Sequence, residues 1–170
     1  MAGPAALAAD PAPKPSVYVE TSVIGYLASR PSRDLLVAAA QQSTREWWAT
    51  ATTKFDLFVS EHVLAECAAG DPKAAEERFA FVRQMRVVAS APQAEAIVDQ
   101  LLREGAFPAK ASVDAAHVVA AATGGIDFLV TWNCKHIANP AARRTIERVL
   151  IGEGLLPPII YTPLELPDVR

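Results

Sequence analysis

Only two cysteines, Cys67 and Cys134, occur among the 170 residues, which is too few for a disulfide framework. We therefore expect reduced thiols and a cytoplasmic protein. No apolar run reaches the roughly 18 to 20 residues that a membrane-spanning helix requires, so no membrane contact is expected. The chain also lacks a Gly-x-Ser-x-Gly nucleophile motif, a Gly-x-x-x-x-Gly-Lys phosphate loop and a Gly-x-Gly-x-x-Gly dinucleotide motif. These absences argue against secreted, membrane-bound, serine-hydrolase and nucleotide-binding classes.

An excess of positive charge is also missing, since the formal net charge is −3 and the isoelectric point is about 5.6. This argues against a protein that is held to nucleic acid by bulk positive charge. It is compatible with an enzyme that meets nucleic acid through a bound cation and a local basic patch. With 51% apolar and 21% charged residues, the chain has the composition of a folded domain with a buried core.

The sequence predicts an N-terminal tail followed by one domain. Residues 1–15 are rich in alanine and proline, and Asp10 and four prolines interrupt their apolar character. They lack the basic first segment of a signal peptide, so we expect a disordered tail. Residues 16–170 form the single predicted domain.

Within this domain, short apolar strands alternate with helices. Strands are predicted at 16–19, 55–60, 86–89, 127–131 and 158–161. Helices are predicted at 21–29, 34–51, 61–69, 72–85, 92–104, 113–123 and 141–151, with Thr21, Ser22, Asp71 and Ser112 as N-terminal caps. This alternation predicts an α/β fold whose parallel sheet is covered on both faces. In such folds the ligand site lies beyond the carboxyl ends of the strands.

Four oxygen-bearing side chains lie near those strand ends. Glu20 directly follows the first strand, Glu66 lies on the helix after the second, Asp114 is in the first turn of a later helix, and Asn133 follows the fourth strand. Three converging carboxylates repel one another unless a cation joins them. Hard divalent cations such as Mg²⁺ or Mn²⁺ match oxygen ligands and support phosphodiester hydrolysis. Each residue also has an ordinary interpretation as a helix-end, surface or turn residue, and only their joint occurrence favours a site.

Four segments in chain order resemble the motif blocks of PIN-domain ribonucleases, and most closely those of VapC-type toxins. They are Val17-Tyr18-Val19-Glu20-Thr21-Ser22, Ser60-Glu61 with Glu66, Asp114-Ala115-Ala116-His117, and Leu129-Val130-Thr131-Trp132-Asn133. The resemblance covers about residues 16–165. It implies a three-layer α/β/α fold with a mainly parallel five-stranded sheet, and Mg²⁺- or Mn²⁺-dependent endoribonuclease activity.

The resemblance also assigns roles to residues of this chain. Glu20, Glu66, Asp114 and Asn133 take the catalytic positions, and the first three are the expected metal ligands. The family usually has aspartate where this chain has Glu20 and Asn133, which implies a longer first ligand and one charge fewer. RNA substrate, a cognate antitoxin and a homodimer are the partners that the resemblance implies.

Basic residues after the fourth strand are candidates for binding RNA phosphates. Together with Thr131, the predicted substrate-binding residues are Lys135, Arg143 and Arg144, with Arg148 nearby. The same residues can equally form a solvated helix face. His62 shares a helix face with Glu66, so it can orient Glu66 or form a surface pair with it. His117 lies near Asp114 on one helix face, so it can contact a substrate phosphate, orient a metal ligand or pack beneath the site.

Three alternatives stay open at the level of sequence. A PIN fold that has lost its nuclease activity is motivated by Glu20 and Asn133. Another small α/β phosphohydrolase can use the same edge of the sheet. A zinc site formed by Cys67, His117, Cys134 and His136 is disfavoured, because their spacing matches no compact zinc pattern.

Overall fold

The computed structural model describes residues 13–166, and residues 1–12 and 167–170 lie outside the described residues. Most of the predicted tail therefore falls outside them. The sheet consists of β1 (Ser16–Val19), β2 (Asp56–Val59), β3 (Arg86–Val87), β4 (Phe128–Val130) and β5 (Ile159–Tyr161). Its strand order is β3-β2-β1-β4-β5, and every neighbouring pair is parallel. The predicted five-stranded parallel sheet is confirmed.

The described part of the chain contains seven helices. They are α1 (Thr21–Ala28), α2 (Leu35–Lys54), α3 (Glu61–Ala68), α4 (Pro72–Val82), α5 (Ala94–Arg103), α6 (Ser112–Thr123) and α7 (Pro140–Gly152). Helix α1 packs on α2, α3 and α4, whereas α5 packs on α6 and α7, which gives an α/β/α arrangement. No helix within residues 13–166 is long and apolar enough to cross a membrane.

The central strand is buried on both faces, as its apolar sequence predicts. Val17, Tyr18 and Val19 of β1 have no solvent-exposed surface. Such burial requires helices on both sides of the sheet, because apolar and polar residues do not alternate along the strand and neither of its faces suits contact with water. The ends of β1 and its neighbours are thereby fixed in a rigid layer, from which the side chains that follow the strands project.

Two helices begin at an aspartate cap, and the sequence predicts the cap of α4 at Asp71. At α4, the Oδ2 atom of Asp71 accepts a hydrogen bond of 2.9 Å from the amide of Ala74, and Pro72 is the first helical residue. At α2, the Oδ1 atom of Asp34 accepts from the amides of Leu36 and Val37 at 3.0 Å. Both caps supply acceptors for amides that have no partner inside the helix.

The caps predicted from Thr21, Ser22 and Ser112 are wrong. The residues that precede α1 and α6 are Glu20 and Ala111, and neither helix start has a side-chain cap. The hydroxyl groups of Thr21 and Ser22 donate to carboxylates instead. Serine and threonine are common caps, but a nearby carboxylate is a stronger acceptor for the same hydroxyl.

The order of strands places a crevice beside β1. From β1 the chain proceeds to β2 and β3 on one side, and it returns to β4 and β5 on the other side. Connections that leave neighbouring strands in opposite directions open a crevice at their carboxyl ends, where α/β folds bind ligands. Glu20 follows β1 and Thr131 follows β4, so both lie at this point of the sheet.

Candidate metal centre

Glu20 is a buried carboxylate held from two directions. The residue is only 5% exposed, and its Oε2 atom accepts hydrogen bonds from the hydroxyls of Thr131, at 2.7 Å, and Ser22. The amide of Glu20 also donates to the carbonyl of Val130 at 3.1 Å, which extends the pairing of β1 with β4. Among the described residues, the other carboxylate oxygen has no hydrogen-bond partner. Glu20 is therefore fixed through one oxygen and has the other free for a ligand.

Glu66 projects from α3 into the same region and is more exposed. Its Oε2 atom accepts a hydrogen bond of 2.9 Å from His117 and a second one from the hydroxyl of Thr21. The hydrogen bond from His117 holds the pKa of the Glu66 carboxyl below its ordinary value, and the Thr21 hydroxyl acts in the same direction. Glu66 is thus an ionised acceptor near neutral pH.

A buried chain of hydrogen bonds stands behind Glu66. The Nδ1 atom of His117 lies 2.8 Å from the hydroxyl of Tyr18, which lies 2.6 Å from the hydroxyl of Ser60. Because an ionised carboxylate can only accept, the Nε2–H of His117 donates to Glu66. In the neutral imidazole, Nδ1 then accepts from Tyr18. Burial raises the pKa of Tyr18, so its hydroxyl keeps its proton.

Asp114 forms a second pair with a histidine. Its Oδ2 atom lies 2.6 Å from Nδ1 of His136, and both side chains are about one-fifth exposed. The amide of His136 donates to Oδ1 of Asn133 at 3.1 Å, and the amide of Asn133 donates to the hydroxyl of Thr131 at 2.9 Å. The carbonyl oxygen of Asn133 is therefore used inside its own loop.

The described residues bring three possible metal-binding side chains together. A carboxylate oxygen of Glu20, one of Glu66 and a ring nitrogen of His117 all lie within 4.8 Å of one another. Two of the three predicted ligands, Glu20 and Glu66, are members of this group, whereas Asp114 pairs with His136 outside it. Two carboxylates and one imidazole are ligands that divalent cations accept in proteins, so the residues fit such an ion.

The predicted substrate-binding residues differ in exposure. Lys135, Arg143 and Arg144 are exposed, and Arg143 donates weakly to the carbonyl of Ile160 at 3.4 Å. Thr131 is fully buried, so it has no surface to offer a substrate, and it supports Glu20 instead. Nearby, Arg148 forms an ion pair with Glu104.

The Cys–His zinc alternative receives no support within residues 13–166. Cys67 is buried, and burial raises the pKa of its thiol to about 11. Cys134 is exposed. The possible metal-binding group of Glu20, Glu66 and His117 contains neither cysteine. A buried thiol of high pKa is a poor metal ligand, because metals bind the thiolate.

Two residues that support the site are not evident from the sequence pattern. Tyr18 has the pattern of a core residue of β1, and Trp132 is only one position in a motif. Trp132 donates from Nε1 to the hydroxyl of Thr44 at 2.7 Å and from its amide to the hydroxyl of Ser22 at 2.9 Å. The one available signal is Tyr18, which lies between two valines in a strand predicted to be buried. A buried tyrosine hydroxyl needs a hydrogen-bond partner, so its position indicates a polar group nearby.

Comparisons with known proteins identify one solved structure of similar fold. No protein-family model matches the chain, and no curated protein matches its sequence significantly. The chain is similar in structure to a chain of VapBC2 from Rickettsia felis, in a crystal structure bound to a DNA fragment from their promoter. The TM-score is 0.56 at 13% identity, over 86% of this chain and 97% of the other. Similarity at this identity concerns the fold, and the predicted three-layer α/β/α fold with a parallel five-stranded sheet is confirmed.

Proposed function

We propose that this protein is a divalent-cation-dependent endoribonuclease and the toxin of a toxin–antitoxin pair. The observation that most supports this proposal is the buried Glu20 carboxylate at the crevice of a parallel sheet, with Glu66 and His117 within 4.8 Å. A buried charge without a compensating group is costly, and a bound cation compensates it. The fold shared with a chain of a toxin–antitoxin complex adds support.

Each site residue has a part in this proposal. Glu20 and Glu66 hold the cation, and Asp114 adds a third negative charge directly or through water. When bound, a divalent cation polarises the phosphate and lowers the pKa of the attacking water. Asn133 fixes the loop after β4, because its Oδ1 atom accepts from the amide of His136.

The proposed substrate is single-stranded or weakly structured RNA in the cytoplasm. Lys135 and Arg144 are exposed and lie close in sequence to the loop that contains Asn133. Exposed basic side chains near a metal site bind the RNA phosphates on either side of the phosphate that is cleaved. Arg143 is a weaker candidate, since it also contacts the carbonyl of Ile160.

We further propose a cognate antitoxin and a homodimer as partners. A groove of about 470 Å³ adjoins the site at Ser60 and His62, and its apolar lining includes Val88, Val98 and Ala116. Glu61, Glu95 and Asp99 line it, and no lysine or arginine of the described residues does. This lining suits a polypeptide with apolar and basic side chains better than it suits RNA.

Cleavage of RNA tests the proposal directly. Purified protein is incubated with a long, weakly structured RNA in Mn²⁺, in Mg²⁺ and in EDTA. Asp114→Asn is compared with Asp99→Asn, which changes an aspartate of α5 in the same way. We expect discrete cleavage that requires the cation and falls at least about 10- to 100-fold in Asp114→Asn but not in Asp99→Asn. Equal cleavage by both variants contradicts the role of Asp114.

A catalytically degenerate PIN-fold binding module is the second candidate. The environment of Asn133 favours it, because this side chain has no charge and its carbonyl oxygen is already occupied. Folded protein that binds Mn²⁺ but cleaves no RNA supports this candidate. Turnover of a phosphomonoester without RNA cleavage supports a different phosphohydrolase.

A further inference from the structure

We propose that His117 is itself a metal ligand through Nε2, so that the site takes a first-row divalent transition ion such as Mn²⁺ in preference to Mg²⁺. This inference rests on the proposed metal site but does not depend on RNA cleavage. It departs from an all-oxygen site, in which Asp114 would be the third ligand.

The distances fit a shared ion. Oε2 of Glu66 and Nε2 of His117 lie 2.9 Å apart. Two ligands at right angles in an octahedral site, each at about 2.1 Å from the ion, are about 3.0 Å apart. With a carboxylate oxygen of Glu20, the Glu66 oxygen and the His117 nitrogen form a set in which no two ligand atoms lie more than 4.8 Å apart. Small side-chain adjustments therefore convert this group into three ligands of one ion.

The buried chain behind His117 has the arrangement that metal-binding histidines need. As a ligand, Nε2 gives up its hydrogen, and the neutral ring then has its hydrogen on Nδ1. That hydrogen donates to the hydroxyl of Tyr18 at 2.8 Å, and the hydroxyl of Tyr18 turns to donate to Ser60 at 2.6 Å. Metal-binding histidines almost always donate their other ring N–H to a carboxylate, a backbone carbonyl or water, and the Tyr18 hydroxyl takes that place here. Two hydroxyls in series permit either direction without moving a heavy atom.

The environment of Asp114 supports the same assignment. Its Oδ2 atom is paired with His136 at 2.6 Å, and it is not in the three-membered group. Glu20 and Glu66 supply two negative charges that match a divalent ion, and His117 supplies a neutral nitrogen. Imidazole suits transition ions, whereas Mg²⁺ prefers oxygen ligands, so the mixed set favours an ion that accepts both.

Pulsed electron paramagnetic resonance of bound Mn²⁺ tests the assignment, because it detects a directly bonded nitrogen. The chain has three histidines, His62, His117 and His136, so single variants identify the source of the signal. We expect a nitrogen coupling in the parent protein that disappears in His117→Gln and persists in His62→Gln and His136→Gln. His62 is the closest control, since its ring lies 6.1 Å from that of His117.

Tyr18→Phe provides a second test that leaves the histidine in place. It removes only the hydroxyl that orients His117, so we expect the nitrogen coupling to persist while Mn²⁺ affinity falls about 10- to 100-fold. Mn²⁺ binding without nitrogen coupling, or coupling that survives in His117→Gln, overturns the assignment and leaves the nuclease proposal intact. Absence of Mn²⁺ binding in the folded parent protein overturns both.

Discussion

Two carboxylate–histidine pairs lie near the carboxyl end of the sheet, and they differ in what stands behind the histidine. In Glu66–His117, the histidine side chain is 1% exposed and its second nitrogen contacts Tyr18. In Asp114–His136, the histidine side chain is 19% exposed and its second nitrogen has no hydrogen-bond partner within the described residues. The first pair is fixed from the core, and the second is fixed only through the loop after β4.

This difference indicates that the two pairs suit different roles. A side chain held by a buried chain of hydrogen bonds has one orientation, which suits a group that must meet an ion at a set distance. A side chain at the surface can adjust to a substrate and exchange its partner for water. A carboxylate–histidine pair can therefore either hold a ligand in place or respond to a substrate. Removing His117 and removing His136 should change the stability of the protein by different amounts.

Removing the buried histidine should have the largest effect on stability. His117→Ala leaves the Tyr18 hydroxyl without one buried partner and opens a cavity, so we expect the free energy of unfolding to fall by about 3 kcal/mol. His136→Ala should cost less than about 1 kcal/mol, because water can replace a partly exposed ring. Urea unfolding in EDTA measures both values. Equal losses would show that the burial of His117 has no energetic consequence.

The hydroxyls that hold the two glutamates offer a smaller contrast. Thr131→Val keeps the shape of the side chain but removes a buried donor to Glu20, so we expect a loss of about 2 kcal/mol. Thr21→Val removes a donor to the more exposed Glu66, and water can replace it at a cost of about 0.5 kcal/mol. The same urea experiment ranks the two variants. A reversed order would mean that Glu20 is not held through Thr131.

The fold is predictable from the sequence because its signals are local. Short apolar strands, the Asp71-Pro72 helix start and the positive φ of Gly70, +86°, after α3 all follow from neighbouring residues. The rule that ligand sites lie at the carboxyl ends of parallel strands then places Glu20 and Glu66 at one edge of the sheet. These inferences need only the period of burial and the connection of parallel strands.

The pairing of side chains inside the site could not be predicted in the same way. His117 contacts Glu66 across 51 positions and Tyr18 across 99, and Asp114 contacts a histidine 22 positions away. Spacing along α6 puts His117 and Asp114 near one face, but it does not say which carboxylate each histidine binds. Such choices depend on rotamers and on the depth of each element in the packed domain.

The dependence of stability on pH should reveal the Glu66–His117 hydrogen bond, with a smaller effect still. The pKa of Glu66 lies below its ordinary value of 4.5 because His117 donates to the carboxylate. A carboxyl whose pKa is lower in the folded state stabilises that state above the unfolded pKa, and the contribution is lost as the pH falls through the folded pKa. Since Glu66 is partly exposed, we expect less than about 1 kcal/mol.

As the pH falls from about 5 to about 3, Glu66→Gln should therefore lose less of its free energy of unfolding than the parent protein does, by less than about 1 kcal/mol. Asp114→Asn is the matched variant, because it leaves the hydrogen bond between Glu66 and His117 in place. Urea unfolding in EDTA across this range measures the difference. Glu20 and His62 also lie near Glu66, and they are unchanged in both proteins. Identical acid profiles for the parent and Glu66→Gln would mean that the Glu66–His117 hydrogen bond adds no stability, and that the buried chain serves orientation alone.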